Sequence, residues 1–377
     1  MRAGRATPKS AAYGVVTALL LGGVACSSGE TDRADTAQMD TTSGAAATAD
    51  SAVPNDQMQA VLAQLAALNP QPLPKLSAPA ARKQPSAADA VKALLKKQGK
   101  SAAPEPVGRV VNRTIPGAGG QIPVRIYTPK GDGPFPVVVY YHGGGWVIAN
   151  LDTYDASARA LTNQANAVVV SSHYRQGPEH KFPAAHQDAF TAYRWALQNA
   201  KSIKGDPAKV AVAGESAGGN LAAAVSMMAR DSSVQRPVYQ VLVYPIAGYD
   251  LNTPSYLENA QAKPLDKAGM AWFFENYLRS PADGKNPMID LVHANVEGLP
   301  RTTVITAQID PLRSEGQALA ERLRQAGIEV DAKTYDGVAH EFFGMGPVLD
   351  DAKEAQEQAV NGLKKGFESQ PSVSASR

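Results

Sequence analysis

Hydrophobic and polar positions along the chain follow two periodicities, which separate predicted strands from predicted helices. From about residue 107, short apolar runs recur, and stretches with apolar residues three and four positions apart lie between them. The first two runs, "VGRVVNRTIPG" and "IPVRIYTPK", flank a glycine turn and predict a hairpin. Further runs predict six more strands, at 136–142, 167–174, 209–215, 239–245, 302–308 and 329–335.

Helical spacing occurs between and after these runs. The predicted helices lie near 153–165, 184–200, 217–230, 313–326 and 350–366. Strands that alternate with helices at this spacing indicate an α/β fold, with a mostly parallel eight-stranded sheet covered by helices on both faces. Residues 250–298 break the alternation, so we expect them to form an insertion that leaves the sheet.

The chain before residue 106 follows a different pattern. Residues 26–55 carry almost no large apolar side chain and predict a disordered tether. Residues 56–105 contain two stretches with helical spacing, joined by a Pro-rich link. Residues 1–25 begin with basic side chains and continue as a short apolar stretch, which is typical of an export signal and too short for a comfortable membrane span.

The single cysteine, Cys26, follows this signal directly. Its position predicts a lipoprotein signal, with Cys26 lipidated as the first residue of the mature protein. Gly23 stands where such signals usually carry Leu, so cleavage after Ala25 without lipidation, or an uncleaved anchor, remains an alternative. We expect an exported protein, either a cell-envelope lipoprotein (outer membrane or periplasm) or a secreted protein, with Cys26 as its only membrane contact.

Composition narrows the possible partners. The chain has 377 residues, of which 44% are hydrophobic, enough for a full core, and its net charge is +2. Dispersed basic residues without an aromatic stacking pattern argue against nucleic-acid binding. One cysteine excludes an intramolecular disulfide, and no Cys/His pattern has metal-site spacing, so we expect neither a metal nor an organic cofactor. Both a monomer and a homodimer remain possible.

A candidate nucleophile lies between a predicted strand and a predicted helix. The residues Gly214, Glu215, Ser216, Ala217 and Gly218 fit the pattern G-x-S-x-G. In the strand–turn–helix context this pattern holds the serine on a sharp turn, with its hydroxyl above the carboxyl edge of the sheet. The Ala217 N–H would then lie at a helix N-terminus and point toward a developing oxyanion.

The serine needs a base, and in this sheet type the partners follow in the order serine, acid, histidine. Of the six histidines, only His293 and His340 come after Ser216. His340 lies in a loop just after the strand predicted to end at Tyr335. His293 lies in the insertion, where no strand is predicted to end. The sequence therefore favours His340 as the base.

The acid is expected at the end of a strand between Ser216 and His340. Asp310 directly follows the strand at 302–308 and meets this requirement. Asp336 and Asp290 are weaker alternatives. In this position Asp310 would fix the tautomer of the histidine and stabilise its charged form.

A glycine loop follows the first buried strand. Its sequence is "HGGGW", from His142 to Trp146. Consecutive glycines let the backbone approach a substrate and present N–H groups to it. We expect Gly143 and Gly144 to form an oxyanion hole with Ala217, and His142 to anchor the loop without acting as a base.

The motifs "YYHGGGW", "GESAGGN", "IDPLRSEG" and "VAHEFFG" occur in this order along the chain. In motif and order the chain resembles the hormone-sensitive-lipase-like esterases, the bacterial family IV carboxylesterases of the α/β-hydrolase fold. Residue 215 is usually Asp or Thr in that family and is Glu here, and Ser314 stands where a second acid is common. Glu215 is expected either to tie neighbouring loops together or to face solvent.

The resemblance implies an organisation and an activity. Residues 56–105 and about 250–298 would form a helical cap over a catalytic domain at 106–370, followed by a disordered tail at 371–377. The aromatic residues of the cap helix at 270–278 would line a pocket or simply pack. The implied activity is hydrolysis of short- to medium-chain carboxylic esters through an acyl-enzyme. Amide or N-acyl hydrolysis, and a non-catalytic ligand-binding lipoprotein, are the alternatives.

Overall fold

Eight strands form one sheet in residues 52–368, the part of the chain that the computed structural model describes. The predicted signal with Cys26, most of the predicted tether and the predicted tail lie outside the described residues. The strands are β1 (Arg109–Gly117), β2 (Gly120–Thr128), β3 (Phe135–Tyr141), β4 (Val168–Ser172), β5 (Gly205–Glu215), β6 (Gln240–Val243), β7 (Thr302–Ile309) and β8 (Val330–Ala339).

The sheet is mostly parallel. Its strand order is β1-β2-β4-β3-β5-β6-β7-β8, and β2 runs antiparallel to both β1 and β4. All other neighbours pair in parallel. The valine runs of β3 and β4 are fully buried, as expected for parallel strands covered on both faces. The predicted α/β fold class is therefore confirmed, and the carboxyl ends of β3 to β8 meet at one edge, here called the carboxyl edge.

Helices cover the sheet and also precede it. They are α1 (Asp56–Ala67), α2 (Ala78–Ala81), α3 (Ala87–Lys97), α4 (Asp155–Ala165), α5 (Ala184–Asn199), α6 (Ala217–Arg230), α7 (Pro254–Glu258), α8 (Lys267–Tyr277), α9 (Arg313–Gln325) and α10 (Asp350–Glu368). None of the helices within 52–368 combines the length and the apolar character needed to cross a membrane.

The N-terminal helices are fixed by local caps and by the core. The Asn55 side chain accepts a hydrogen bond from the N–H of Met58 at the start of α1, and Ser86 forms a reciprocal capping box at the start of α3. Met58 and Leu95 belong to the same hydrophobic cluster as residues of β5 and β8. The N–H of Asn55 also donates to the carbonyl of Gly337 in β8, at 2.8 Å. These helices are therefore part of the main core.

Strand β8 extends past its predicted end. The sequence predicts an end at Tyr335, but pairing with β7 resumes after an irregularity and joins Ile309 to Ala339. Gly337, with a φ of 66°, lies in this irregular stretch. A glycine adopts this left-handed backbone without steric cost, so the strand bends and continues. His340 therefore follows the strand end directly, and no loop separates them.

Candidate active site

Ser216 occupies a strained turn between β5 and α6. Its φ is 56° and its ψ is −119°, a conformation that residues other than glycine rarely adopt. The neighbouring chain comes so close that a Cβ on Gly214 would lie 2.1 Å from the carbonyl oxygen of Gly218. A Cβ on Gly218 would lie 2.0 Å from the carbonyl oxygen of Tyr141. The glycines on either side of the serine are therefore required by the close approach of strand and helix.

Backbone hydrogen bonds hold Ser216 in this conformation. Its N–H donates to the carbonyl of Val243 at 2.9 Å, and its carbonyl accepts from the N–H of Ile246 at 3.2 Å. Both partners lie at the end of β6 or just beyond it. The strained residue is thus tied to the neighbouring strand at the carboxyl edge, which is how a fold sustains a local backbone strain.

Asp310 and His340 meet at the same edge. Asp310 directly follows β7, and its Oδ2 lies 2.7 Å from Nδ1 of His340. The other carboxylate oxygen accepts the N–H of Leu312 at 2.9 Å, and both Asp310 and His340 are buried. Burial opposes the charged imidazole and is the largest single influence, but the carboxylates of Asp310, Glu341 and Glu215 together raise the pKa of His340 above its ordinary value. The pair matches an acid that orients a base.

The weaker candidates lie elsewhere. His293 has a side chain that is 81% exposed, and its Nδ1 lies 2.9 Å from the carboxylate of Asp290. Asp336 is exposed on β8. The structure therefore brings together Asp310 and His340, the acid and the base that the sequence favours. Two of the weaker candidates, His293 and Asp290, contact each other instead.

The glycine loop after β3 is packed tightly on both sides. Gly144 and Gly145 have φ values of 92° and 57°. A Cβ on Gly145 would lie 2.2 Å from the ring of Phe273 in α8, so no larger residue fits there. Within residues 52–368, the N–H groups of Gly143, Gly144 and Ala217 have no backbone acceptor outside helices and strands. That these N–H groups donate to a ligand oxygen stays a prediction.

The His142 side chain anchors this loop. It is buried, with Nε2 2.9 Å from Nδ1 of His173 and Nδ1 2.8 Å from the carbonyl of Gly143. Its ring also stacks on Tyr174. Burial, together with the second histidine, lowers its pKa to about 3, so the imidazole stays neutral. This environment suits an anchor and not a base.

Comparison with known proteins identifies the family. Residues 138–344 match a model described as an α/β-hydrolase fold. A carboxylesterase of Mycobacterium tuberculosis, NlhH, is 40% identical over 266 residues, 69% of this chain and 83% of its own. The chain is an α/β-hydrolase of the hormone-sensitive-lipase-like family IV esterases.

Two further relatives support the same family. An ethyl acetate hydrolase of Pseudomonas putida is 32% identical over 252 residues, 66% of this chain and 79% of its own. The structure of a hyperthermophilic esterase from the archaeon Pyrobaculum calidifontis superposes with a TM-score of 0.75 at 38% identity, and covers 83% of this chain and 98% of its own.

In this α/β-hydrolase a buried carboxylate, Glu215, lies directly beside the serine. It accepts hydrogen bonds from the hydroxyls of Tyr140 and Tyr244, and it does not face solvent. Burial raises its pKa to about 7. The Tyr244 ring also packs on His340, with centroids 4.5 Å apart. Of the two possibilities for Glu215, the structure supports the one in which it ties loops together.

Sequence reasoning missed a second carboxylate in this hydrolase. Glu341 follows His340, and its Oε1 lies 4.0 Å from Nε2 of the imidazole. The hydroxyl of Tyr154 donates to the same oxygen at 2.5 Å. The adjacency of Glu341 to His340 was the available signal. Nothing in the sequence connects Tyr154, 187 positions away, to that carboxylate.

The aromatic residues of α8 mainly pack against the glycine loop of this hydrolase. Trp146 stacks on Tyr277, with ring centroids 4.8 Å apart, and Phe273 covers Gly145. Trp272 donates from Nε1 to the carbonyl of Leu76 at 3.2 Å, which joins α8 to the segment before α2. The two segments expected to form a cap therefore contact each other, and α8 packs on the loop.

The side chains described around the serine of this hydrolase include histidines and carboxylates, which are also the usual ligands of metal ions. Across residues 52–368, no group of three or more His, Cys, Asp or Glu side chains is arranged to hold a metal ion. The buried histidines are bonded to protein partners, as His186 is to Asn220 and Tyr277. The groups beside Ser216 are instead those of acid–base chemistry.

Proposed function

We propose that this protein is a serine carboxylesterase that hydrolyses short- to medium-chain carboxylic esters through an acyl-enzyme at Ser216. The observation that carries the proposal is the 2.7 Å contact between Asp310 and His340 at the sheet edge where the strained Ser216 lies. The identity to curated carboxylesterases supports the same reaction class.

In the first half of the proposed reaction, the Ser216 Oγ attacks the ester carbonyl carbon. Its proton passes to Nε2 of His340, and Asp310 stabilises the resulting imidazolium through Nδ1. The carbonyl oxygen becomes an oxyanion that accepts hydrogen bonds from Gly143, Gly144 and Ala217. Loss of one such donor typically raises the barrier by about 3 kcal/mol.

Collapse of the tetrahedral intermediate expels the alcohol, which takes the proton from His340. A water molecule then attacks the acyl-enzyme, with His340 again as the base, and Ser216 leaves with the proton as the acid is released. Each proton that His340 accepts is returned within the same half-reaction. The cycle consumes only ester and water.

The packing around the glycine loop supports the proposed preference for short to medium acyl chains. Phe273 covers Gly145, and Trp146 of the same loop stacks on Tyr277. Bulky fixed side chains there limit the room for a long chain. One relative is an ethyl acetate hydrolase, which supports the same preference.

The test is hydrolysis of p-nitrophenyl esters of increasing acyl length by the full chain and by Ser216→Ala. We expect a short-chain optimum in the parent and a loss of roughly a thousandfold or more in kcat for the variant, because the nucleophile is removed. Ser226→Ala is the matched control, since Ser226 is a buried serine of α6, the helix that follows Ser216, and its hydroxyl donates to the carbonyl of Ala222.

A Ser216→Ala protein that keeps more than about a tenth of the parent rate would rule out Ser216 as the nucleophile. A folded parent that turns over no ester would overturn the esterase proposal. A serine-directed phosphonate that labels Ser216 in such a parent would turn attention to amides.

We also propose that the protein acts outside the cytoplasm, held by lipid at Cys26. The proposal rests on the basic and apolar pattern of residues 1–25 and on the position of the single cysteine. Stable anchoring would need more than one acyl chain, because a single chain binds membranes only reversibly.

A further inference from the structure

The imidazole of His340 lies between two carboxylates. Asp310 contacts Nδ1 at 2.7 Å, and Oε1 of Glu341 lies 4.0 Å from Nε2, the nitrogen that exchanges protons with the serine. The proposed mechanism uses the first carboxylate and not the second. The Glu341 side chain is 22% exposed, whereas that of His340 is 4% exposed.

Local backbone geometry directs Glu341 into this position. Its φ is 71°, a left-handed value that is unusual for a residue with a side chain, and it precedes the helical turn Phe342–Met345. Because β8 ends at Ala339, the two residues that follow the strand present the base and the second carboxylate.

Tyr154 fixes the position of the Glu341 carboxylate by a hydrogen bond. Its hydroxyl donates to Oε1 of Glu341 at 2.5 Å, and its side chain is almost fully buried. A Cβ on Gly143 would lie 2.2 Å from the same hydroxyl. One tyrosine therefore contacts both the glycine loop and the carboxylate beside His340.

We propose that Glu341 is a positioning residue for the hydrolysis, whose carboxylate stabilises the imidazolium form of His340 from the Nε2 side while Tyr154 fixes its place. A separation of 4.0 Å is longer than a hydrogen bond. Glu341 therefore acts through its charge and leaves the Nε2 proton free to move between Ser216 and the leaving alcohol. This inference rests on the proposed esterase function.

Charged or titratable groups face His340 from several elements of the fold. From the elements packed around it these are Asp310 after β7, Glu215 at the end of β5, Tyr244 after β6 and Glu341 after β8. Burial of the imidazole lowers its pKa, whereas Asp310, Glu341 and Glu215 raise it, and the net direction is upward. Removal of the Glu341 charge alone is therefore expected to lower the pKa of His340.

The experiment compares Glu341→Gln with the parent, both as the full chain. The amide retains an oxygen for Tyr154 and removes the charge. Since neutral His340 is the base, the acid limb of kcat/KM reports its pKa in the free enzyme. We expect this limb to move to lower pH by roughly 0.5 to 1 unit, and kcat to fall by the corresponding factor of about three to ten. The KM for a neutral p-nitrophenyl ester should change less than about twofold, because the charge acts in the transition state.

An NMR titration of the His340 ring, in protein labelled at histidine, measures the same pKa without turnover. Glu357→Gln is the charge-removing control, because Glu357 is exposed on α10. Tyr154→Phe keeps the Glu341 charge and removes only the bond that holds it. That variant should lower the His340 pKa by less than Glu341→Gln does, and it keeps the test available if the Gln variant does not fold.

An active parent whose Glu341→Gln variant keeps the His340 pKa within about 0.2 unit and kcat within twofold overturns this inference alone. A Glu341→Gln variant in which only KM rises and kcat is unchanged overturns this inference as well, since that result would assign Glu341 to substrate binding. A parent without esterase activity overturns the proposed function, and the NMR titration then decides independently whether Glu341 acts on His340.

Discussion

Glu215 shows how one buried residue joins three strands at the active site. It ends β5, and its carboxylate accepts from Tyr140 in β3 and from Tyr244 after β6. A buried carboxylate with two hydroxyl donors is well satisfied, but its ionised form still loses much of its hydration. The pKa of about 7 reflects this balance, and it makes the stability of the fold depend on pH near neutrality.

Replacement of Glu215 by Gln tests this dependence. The folded pKa of about 7 lies above the ordinary value of 4.5, so the folded state binds the proton more tightly than the unfolded state. The free energy of unfolding of the parent should therefore fall as pH rises from 4.5 through 7, by about 3 kcal/mol for this group. Urea unfolding between pH 5 and 8 should give a flatter profile for Glu215→Gln.

The exposed Glu357 provides the comparison, because Glu357→Gln should keep the slope of the parent. Parallel stability profiles for the parent and Glu215→Gln would show that the carboxyl group titrates alike in the folded and unfolded states, contrary to this expectation.

The site residues differ in how far the sequence predicts them. Ser216, Asp310 and His340 each follow a strand, and parallel strands bring their carboxyl ends together, so apolar periodicity and one motif lead to all three. The contact of Tyr154 with Glu341 depends on how α4 packs beside the 3₁₀ turn Phe342–Met345. Side-chain packing of that kind leaves no periodic signal.

At the scale of elements, the Arg82 side chain, at the C-terminal end of short α2, connects that helix to the chain around the glycine loop. Arg82 donates from Nε to the carbonyl of Val147 at 2.8 Å and from Nη2 to the carbonyl of Gly177 at 2.7 Å. It also pairs with Glu179. A single guanidinium thus connects an N-terminal helix to the segment that follows the proposed oxyanion hole.

Arg82→Ala should lower the free energy of unfolding by about 1–3 kcal/mol, because it leaves partly buried carbonyls without donors. It should also reduce kcat/KM several-fold, since the glycine loop loses a support. Lys83→Ala, at the exposed neighbouring position, should stay within about 0.5 kcal/mol of the parent. Chemical unfolding and ester kinetics on the parent and the two variants measure these differences. Equal effects of both substitutions would assign the change to α2 itself and not to the guanidinium of Arg82.

Element boundaries follow the sequence closely where one periodicity dominates. The predicted helix at 217–230 coincides with α6, Ala217–Arg230, because the serine turn and the following polar residues mark both ends. The sequence predicts too short a β8, because it places the residues after Tyr335 in a loop. The pairing of Ala339 with Ile309 carries the strand through that segment, and pairing between strands is not local information.

At the scale of the whole molecule, the alternation of strands and helices predicts the α/β class but not the order of strands in the sheet. Strand β4 lies between β2 and β3, so the chain crosses over one strand and returns. Periodicity does not encode that crossover. The same holds for α1 and α3, whose apolar faces complete the main core.

The proposed anchor is tested on the whole protein in cells that export it. Cys26→Ser should abolish incorporation of a labelled fatty acid and move the protein from the membrane fraction to a soluble one, because the only thiol available for acylation is removed. Ser27→Ala serves as the neighbouring control and should retain both label and membrane association. Membrane association of Cys26→Ser without label would favour an uncleaved signal as the anchor.

The strained backbone at Ser216 places activity and robustness in opposition. A φ of 56° costs a serine of order 1–3 kcal/mol that a glycine would not incur. Selection for thermal endurance alone would favour glycine at this one position, and selection for turnover forbids it. If selection for catalysis were relaxed, replacement of Ser216 by glycine would therefore be favoured. The protein that carried this replacement would unfold at a higher temperature.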